Sequence, residues 1–138
     1  MKLLLLFPSM ANWAAISTAI PILSGIAKSR GWNVEYFDTY NYEKGIDSSS
    51  DKEKTGGFKP GFSLLNNITK SFSQIVPDLQ TKIDEFLPDL IAITALSQEY
   101  EFLTSFFQTI KMPAKTKVVI GGIHAMLARD EVIESKLF

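Results

Sequence analysis

Three segments of this chain share one design, a short apolar run that ends in small or polar residues. They are Lys2-Leu3-Leu4-Leu5-Leu6-Phe7-Pro8, Pro88-Asp89-Leu90-Ile91-Ala92-Ile93-Thr94-Ala95 and Val118-Val119-Ile120-Gly121-Gly122-Ile123-His124-Ala125. Near-continuous apolar runs of this length read as strands buried on both faces, the condition of a parallel sheet covered by helices on each side. In the last of them two consecutive glycines follow the strand, and backbone without β-carbons lets a bulky group approach closely. A ligand loop is therefore expected at Gly121-Gly122.

The segments between these strands read as helices. Ile20, Leu23 and Ala27 fall at helical spacing up to about Arg30, with Gly31 in the position past the helix end that favours a left-handed residue. Pro21 fits if Ser17 or Thr18 caps the helix, because its missing N–H then falls in the first turn. Asn33 to Asp38 alternates polar and apolar residues and reads as a further strand at or near a sheet edge. Residues 39–60 are turn-rich, with Ser48-Ser49-Ser50, Gly56-Gly57 and Pro60-Gly61, and are expected to form a flexible insertion. Phe62, Leu65, Ile68, Phe72 and Ile75 then predict an amphipathic helix ending at Pro77, and Asp78 caps a short successor carrying Leu79, Ile83 and Phe86. Glu99 to Lys111 presents Phe102, Leu103, Phe106, Phe107 and Ile110 on one face, and Pro113 stops it. A last helix, Arg129 to Phe138, turns Val132, Ile133 and Leu137 to the sheet.

Strand and helix thus alternate four times, which predicts an α/β fold: a flavodoxin-like (Rossmann-like) doubly wound parallel sheet with strand order 2-1-3-4. Ligands bind such sheets beyond the C-terminal strand ends, so loops 8–14, 94–98 and 121–125 are expected to share one rim. The fold calls for a fifth strand, which the 138 residues do not supply, so the chain reads as an excised N-terminal part of a longer protein. Its fourth strand then becomes an unprotected edge, and self-pairing there is expected.

The chain is long enough for one domain, 1–138, with a real core. Lys+Arg 14 against Asp+Glu 15, with no basic stripe among the aromatics, gives no reason to expect nucleic acid. The apolar opening Leu3 to Phe7 is too short to cross a bilayer and is not followed by a cleavage pattern, so a cytoplasmic chain with no membrane partner is expected. The absence of cysteine excludes disulfides, thiolate zinc sites and a cysteine-held iron–sulfur cluster in this chain. Dinucleotide and P-loop glycine patterns do not follow the first strand, and Phe7-Pro8-Ser9 lacks the acidic residues of a magnesium-holding phosphoacceptor. With Ser9 alone before Ser17, a flavin mononucleotide phosphate loop is a poor fit.

One family remains. The opening strand ending in Phe7-Pro8, the run Ile20-Pro21-Ile22-Leu23-Ser24-Gly25-Ile26-Ala27, Arg30-Gly31-Trp32-Asn33-Val34-Glu35 with Asp38, Leu87 to Thr94, and Val118 to Ala125 occur here in order. This arrangement resembles the cobalamin-binding domain at the N-terminus of cobalamin-dependent radical S-adenosylmethionine enzymes. The resemblance implies a corrin over the strand ends, with its nucleotide tail in the cleft beside the first, third and fourth strands. Carried over by position, Thr94, Ala95, Leu96 and Ser97 would offer hydroxyls and backbone to the tail, and Gly121, Gly122, Ile123 and His124 would line its passage. Ser9, Met10, Ala11, Asn12 and Trp13 would form the loop against the cofactor, with Met10, Asn12 or Trp13 facing the lower side of the ring. Thr94 and Ser97 serve equally as ordinary loop caps, the glycine pair as a tight turn, and Trp13 as plain core.

One departure matters. Other cobalamin domains carry Asp-x-His-x-x-Gly after the first strand and place that histidine on cobalt, whereas Ser9-Met10-Ala11-Asn12-Trp13 has no histidine. The only histidine, His124, matches the Gly-Gly-x-His of the radical-enzyme branch and is not assigned to cobalt. Cobalamin without a histidine lower ligand is the expectation. No catalytic residue and no protein-held metal are assigned here. S-adenosylmethionine and a 4Fe-4S cluster would belong to the C-terminal radical domain of the parent, a methyltransferase or related oxidoreductase. Two competing readings are an interaction domain that kept the fold without a cofactor, and the N-terminal half of a nucleotide-sugar glycosyltransferase.

Overall fold

A computed structural model of the chain describes residues 1–9, 17–43 and 70–138. The order is β1 (Lys2–Phe7), α1 (Ala19–Ser29), β2 (Asn33–Asp38), a 3-10 turn (Phe72–Gln74), α2 (Ile75–Phe86), β3 (Leu90–Thr94), α3 (Ser97–Phe107), β4 (Lys117–Gly121), α4 (Ile123–Leu127) and α5 (Arg129–Ser135). The four strands form one sheet in the order β2-β1-β3-β4, parallel throughout. The fold is thus the flavodoxin-like α/β arrangement with order 2-1-3-4.

The period of two in β1 builds both halves of the core. Leu4 and Leu6 join Ile91 and Ile93 of β3 against Ile75, Leu79 and Ile83 of α2 and Phe102, Leu103, Phe106 and Phe107 of α3. Leu3, Leu5 and Phe7 point the other way and meet Ile20 and Ala27 of α1. Every residue of β1 after Lys2 is buried, which is why its sequence reads as a continuous apolar run. Fully burying one leucine of this kind contributes about 1.5–3 kcal/mol.

Helix boundaries follow local chemistry. Thr18 is the N-cap of α1, so Pro21 lies in the first turn and breaks no helical hydrogen bond. At the other end Gly31 adopts φ +75°. Its N–H donates to Lys28 O and the Trp32 N–H to Ala27 O, the paired bonds of a Schellman ending. Leu23, expected on the buried face of α1, is exposed together with Ile22 and Ile26; among the described elements α1 packs chiefly on β1 and β2.

Four other boundaries differ from the sequence reading. Pro77 does not end a helix: α2 runs unbroken from Ile75 to Phe86, since the proline occupies its first turn and needs no N–H there. Asp78 therefore lies inside α2 rather than capping a successor, and the predicted turns before residue 70 lie outside the described residues. Helix α3 begins at Ser97, two residues before the predicted start, and ends at Phe107, although Ile110 beyond it is still buried. The segment after β4 is helical from Ile123, and Ile133 faces solvent instead of the sheet. Of the expected 39–60 insertion, Thr39 and Tyr42 are buried in the fold, and residues 44–60 lie outside the described residues.

Candidate functional site at the strand ends

Parallel pairing brings the C-terminal ends of all four strands to one edge of the sheet: Phe7 beside Asp38, and Thr94 beside Gly121. Beyond β1 the chain stays inside the protein, with Pro8 and Ser9 buried. The buried Thr39 hydroxyl donates to the Ser9 carbonyl at 2.9 Å, and the Thr39 N–H donates to Phe7 O at 3.3 Å. These bonds tie the exit of β2 to the exit of β1. The Ser9 side-chain oxygen, in contrast, is buried without a hydrogen-bond partner among the described residues. Met10, Ala11, Asn12 and Trp13 lie outside the described residues.

The exits of β3 and β4 are joined directly. The Ala95 N–H donates to Gly121 O at 3.2 Å, and the His124 N–H donates to Ala95 O at 3.3 Å. Gly122 adopts φ +98°, and a β-carbon there would stand 2.6 Å from Ala95 O and 2.8 Å from Ala95 N. The bare backbone of Gly122 is therefore used by the neighbouring loop, which packs into the space a side chain would take. Gly121 differs: its nearest neighbour would be Ile93 O at 3.9 Å, an ordinary contact, and its φ is not in the left-handed range. The glycine pair, read as one unit in the sequence, thus divides into a structural residue and one that the fold does not require.

Thr94 is the last residue of β3 and Ser97 the first of α3, so the connecting loop is only Ala95 and Leu96. Leu96 and, across the joint, Ile123 are half-exposed apolar side chains. His124 is buried at 6% exposure, its ring stacked on Tyr100 with centroids 4.0 Å apart, and its Nδ1 lies 3.2 Å from Ser97 Oγ. Nε2 is buried without a hydrogen-bond partner, since the Glu131 carboxylate stands 3.8 Å away. Glu99, which the sequence reading did not single out, is buried and accepts the Leu96 N–H at 2.8 Å. Burial raises the Glu99 carboxyl pKa, and the Leu96 bond partly opposes this. An acidic residue two places after a serine at a helix start was the available signal for Glu99; nothing in the sequence paired Tyr100 with His124.

A second concave region starts at the β2 end of this edge and runs along β2 and α2. It is an open cleft of about 390 Å³ lined by Tyr36, Asp38, Tyr42, Lys70, Asp78 and Lys82 among others. Both lysines that line it are already paired. Asp78 accepts from the Tyr42 hydroxyl at 2.7 Å and from Lys70 Nζ at 2.6 Å, and Lys82 pairs with Glu35 at 3.1 Å. The Lys70 bond, reinforced by Tyr42, holds the Asp78 carboxyl pKa below its ordinary value. Burial, followed by the Asp78 bond, pushes the Tyr42 phenol up to about 12. Among the described residues the cleft leaves no buried side-chain polar atom without a partner.

Among the described residues no group of three or more His, Cys, Asp or Glu could hold a metal ion, and no helix is long and apolar enough to cross a membrane. Comparison with protein-family models, curated proteins and solved structures finds no match.

Proposed function

We propose that the rim at the ends of β1, β3 and β4 binds cobalamin, and that this chain is a cofactor-binding module with no catalytic residue of its own. One observation carries the reading. The two buried side-chain polar atoms without a partner among the described residues, Ser9 Oγ and His124 Nε2, both lie at this edge of the sheet. Buried polar groups are nearly always satisfied in folded proteins, so two orphans at a strand-end rim favour a polar ligand there over an empty edge.

The residues present fit a large, mostly apolar ligand with a polar tail. Ser9, Thr94 and Ser97 supply hydroxyls, Gly121 supplies backbone with no side chain over it, and Leu96 and Ile123 supply apolar surface for a ring. Each hydroxyl bond adds only about 1 kcal/mol net, so affinity must come from apolar burial at about 25 cal/mol per Å². His124 stays off the cobalt in this reading, because its Nδ1 is engaged by Ser97 and its ring by Tyr100. When bound, cobalamin supplies methyl-transfer or radical chemistry at its cobalt, carried out with a separate domain that holds S-adenosylmethionine and a 4Fe-4S cluster.

Titration of the purified chain with hydroxocobalamin and methylcobalamin, followed in the visible spectrum and by the fraction bound after gel filtration, tests this. Saturable binding with corrin bands lacking a nitrogenous lower ligand is expected. Free corrin spectra throughout, with no bound fraction, would leave an interaction domain of the same fold as the better reading.

A further inference from the structure

We infer that Ser97 meets the ligand as a hydrogen-bond acceptor only, a polarity set by Glu131 through His124, and that the rim therefore takes a primary amide beside the start of α3. The inference rests on the cobalamin reading of the rim and names the group recognised there. Ser97 is exposed at the first position of α3, and its one side-chain hydrogen bond among the described residues is with His124 Nδ1 at 3.2 Å. A neutral imidazole carries a single N–H, so the direction of this bond depends on which ring nitrogen holds the proton. The stack on Tyr100 and the burial of the ring hold both nitrogens in place.

The surroundings of Nε2 decide the direction. That atom is buried with no hydrogen-bond partner among the described residues, and the Glu131 carboxylate faces it at 3.8 Å. A ring lone pair at Nε2 would point at negative oxygens, whereas an N–H turns its positive end toward them. The proton therefore sits on Nε2, Nδ1 accepts, and the Ser97 hydroxyl donates to it. The Ser97 oxygen is left with lone pairs alone, next to the first N–H groups of α3, which have no acceptor inside the helix. An acceptor beside donors matches a primary amide, whose NH2 donates and whose C=O accepts. A phosphate or carboxylate only accepts and an ammonium only donates, so each leaves half of this subsite unpaired. Primary amides ring the corrin of cobalamin, and one of them, not the phosphate of the tail, is assigned to Ser97.

The chain has a single histidine, so its imidazole nitrogen and carbon shifts, read by NMR at a pH where the ring is neutral, report the tautomer directly. The Nε2–H form is expected in the wild type and in Glu131→Gln, whose amide oxygen serves the same N–H. Glu131→Lys offers a donor instead and is expected to move the proton to Nδ1. In parallel, binding of cobalamin is compared with that of its derivatives in which one peripheral amide is hydrolysed to a carboxylate. At least one derivative is expected to bind the wild type about tenfold more weakly than cobalamin, and Ser97→Ala is expected to remove most of that difference. An Nδ1–H ring in the wild type, or a tautomer unmoved by Glu131→Lys, overturns the inference. So do derivatives that all bind as well as cobalamin, or a discrimination that a folded Ser97→Ala chain retains. No binding of cobalamin itself is a different result: it overturns the reading of the rim, and the amide assignment falls with it whatever the tautomer.

Discussion

Replacing Gly122 by alanine should destabilise the protein far more than the same change at its neighbour Gly121. At Gly122 the new β-carbon would lie 2.6 Å from Ala95 O and 2.8 Å from Ala95 N, both backbone atoms that cannot rotate away. The backbone there, φ +98° and ψ −178°, lies in a region used almost only by glycine, which costs another residue about 1–3 kcal/mol. If the loops separate to relieve the clash, the bonds Ala95 N–H to Gly121 O and His124 N–H to Ala95 O weaken, at about 0.5–1.5 kcal/mol each. The sum is roughly 2–6 kcal/mol. With a urea slope of about 1–3 kcal/mol per molar, the unfolding midpoint should fall by roughly 1 M or more. Gly121→Ala meets only an ordinary contact at 3.9 Å and reduces the freedom of the unfolded chain, so it should stay within about 1 kcal/mol of the wild type. Equal urea midpoints for the two variants, or a Gly122→Ala midpoint matching the wild type, would refute the reasoning.

His124→Phe keeps a ring on Tyr100 and removes the orphaned Nε2, so its urea midpoint should equal or exceed that of the wild type, whereas His124→Ala opens a cavity and should lose about 2–4 kcal/mol. Thr39→Val takes the buried donor away from Ser9 O and should cost about 1–3 kcal/mol in the same assay. Asp78 has a lowered carboxyl pKa in the fold, so its contribution is present above the ordinary carboxylate value and is lost as pH falls through the folded one. The stability difference between wild type and Asp78→Asn should therefore be largest near neutral pH and vanish in acid. At the other limb, the Tyr42 phenol shifts from 10.0 to about 12, so the fold should lose stability as pH rises through that window, and Tyr42→Phe should flatten the loss.

The sheet was legible because its strands obey simple periodicities. β1 carries apolar residues on both faces, β2 alternates, and their boundaries coincide with the predicted ones. Where the reading failed, one residue type had two permitted roles. Pro77 looked like a helix stop but occupies a first turn, the same tolerance that was recognised at Pro21. Gly121 and Gly122 are the same residue type, and the closeness of Ala95 together with the positive φ of Gly122 separates them. Contacts between distant segments left no local trace. The stack of His124 on Tyr100 and the Tyr42–Asp78–Lys70 cluster join residues whose neighbours in sequence say nothing of each other. The exposure of Leu23 has the same origin, since helical spacing marks an apolar face but not how much sheet is there to cover it.

Equilibrium dialysis of hydroxocobalamin against the wild type, Gly121→Val and Lys82→Ala tests the central claim most directly. Gly121 lies at the rim with room for a side chain, and Lys82 lines the separate cleft along β2 and α2. The account predicts saturable binding that Gly121→Val weakens at least about tenfold, equivalent to about 1.4 kcal/mol, while Lys82→Ala leaves it unchanged and both variants remain folded. Binding lost in Lys82→Ala and kept in Gly121→Val, or no binding by the wild type, would contradict it.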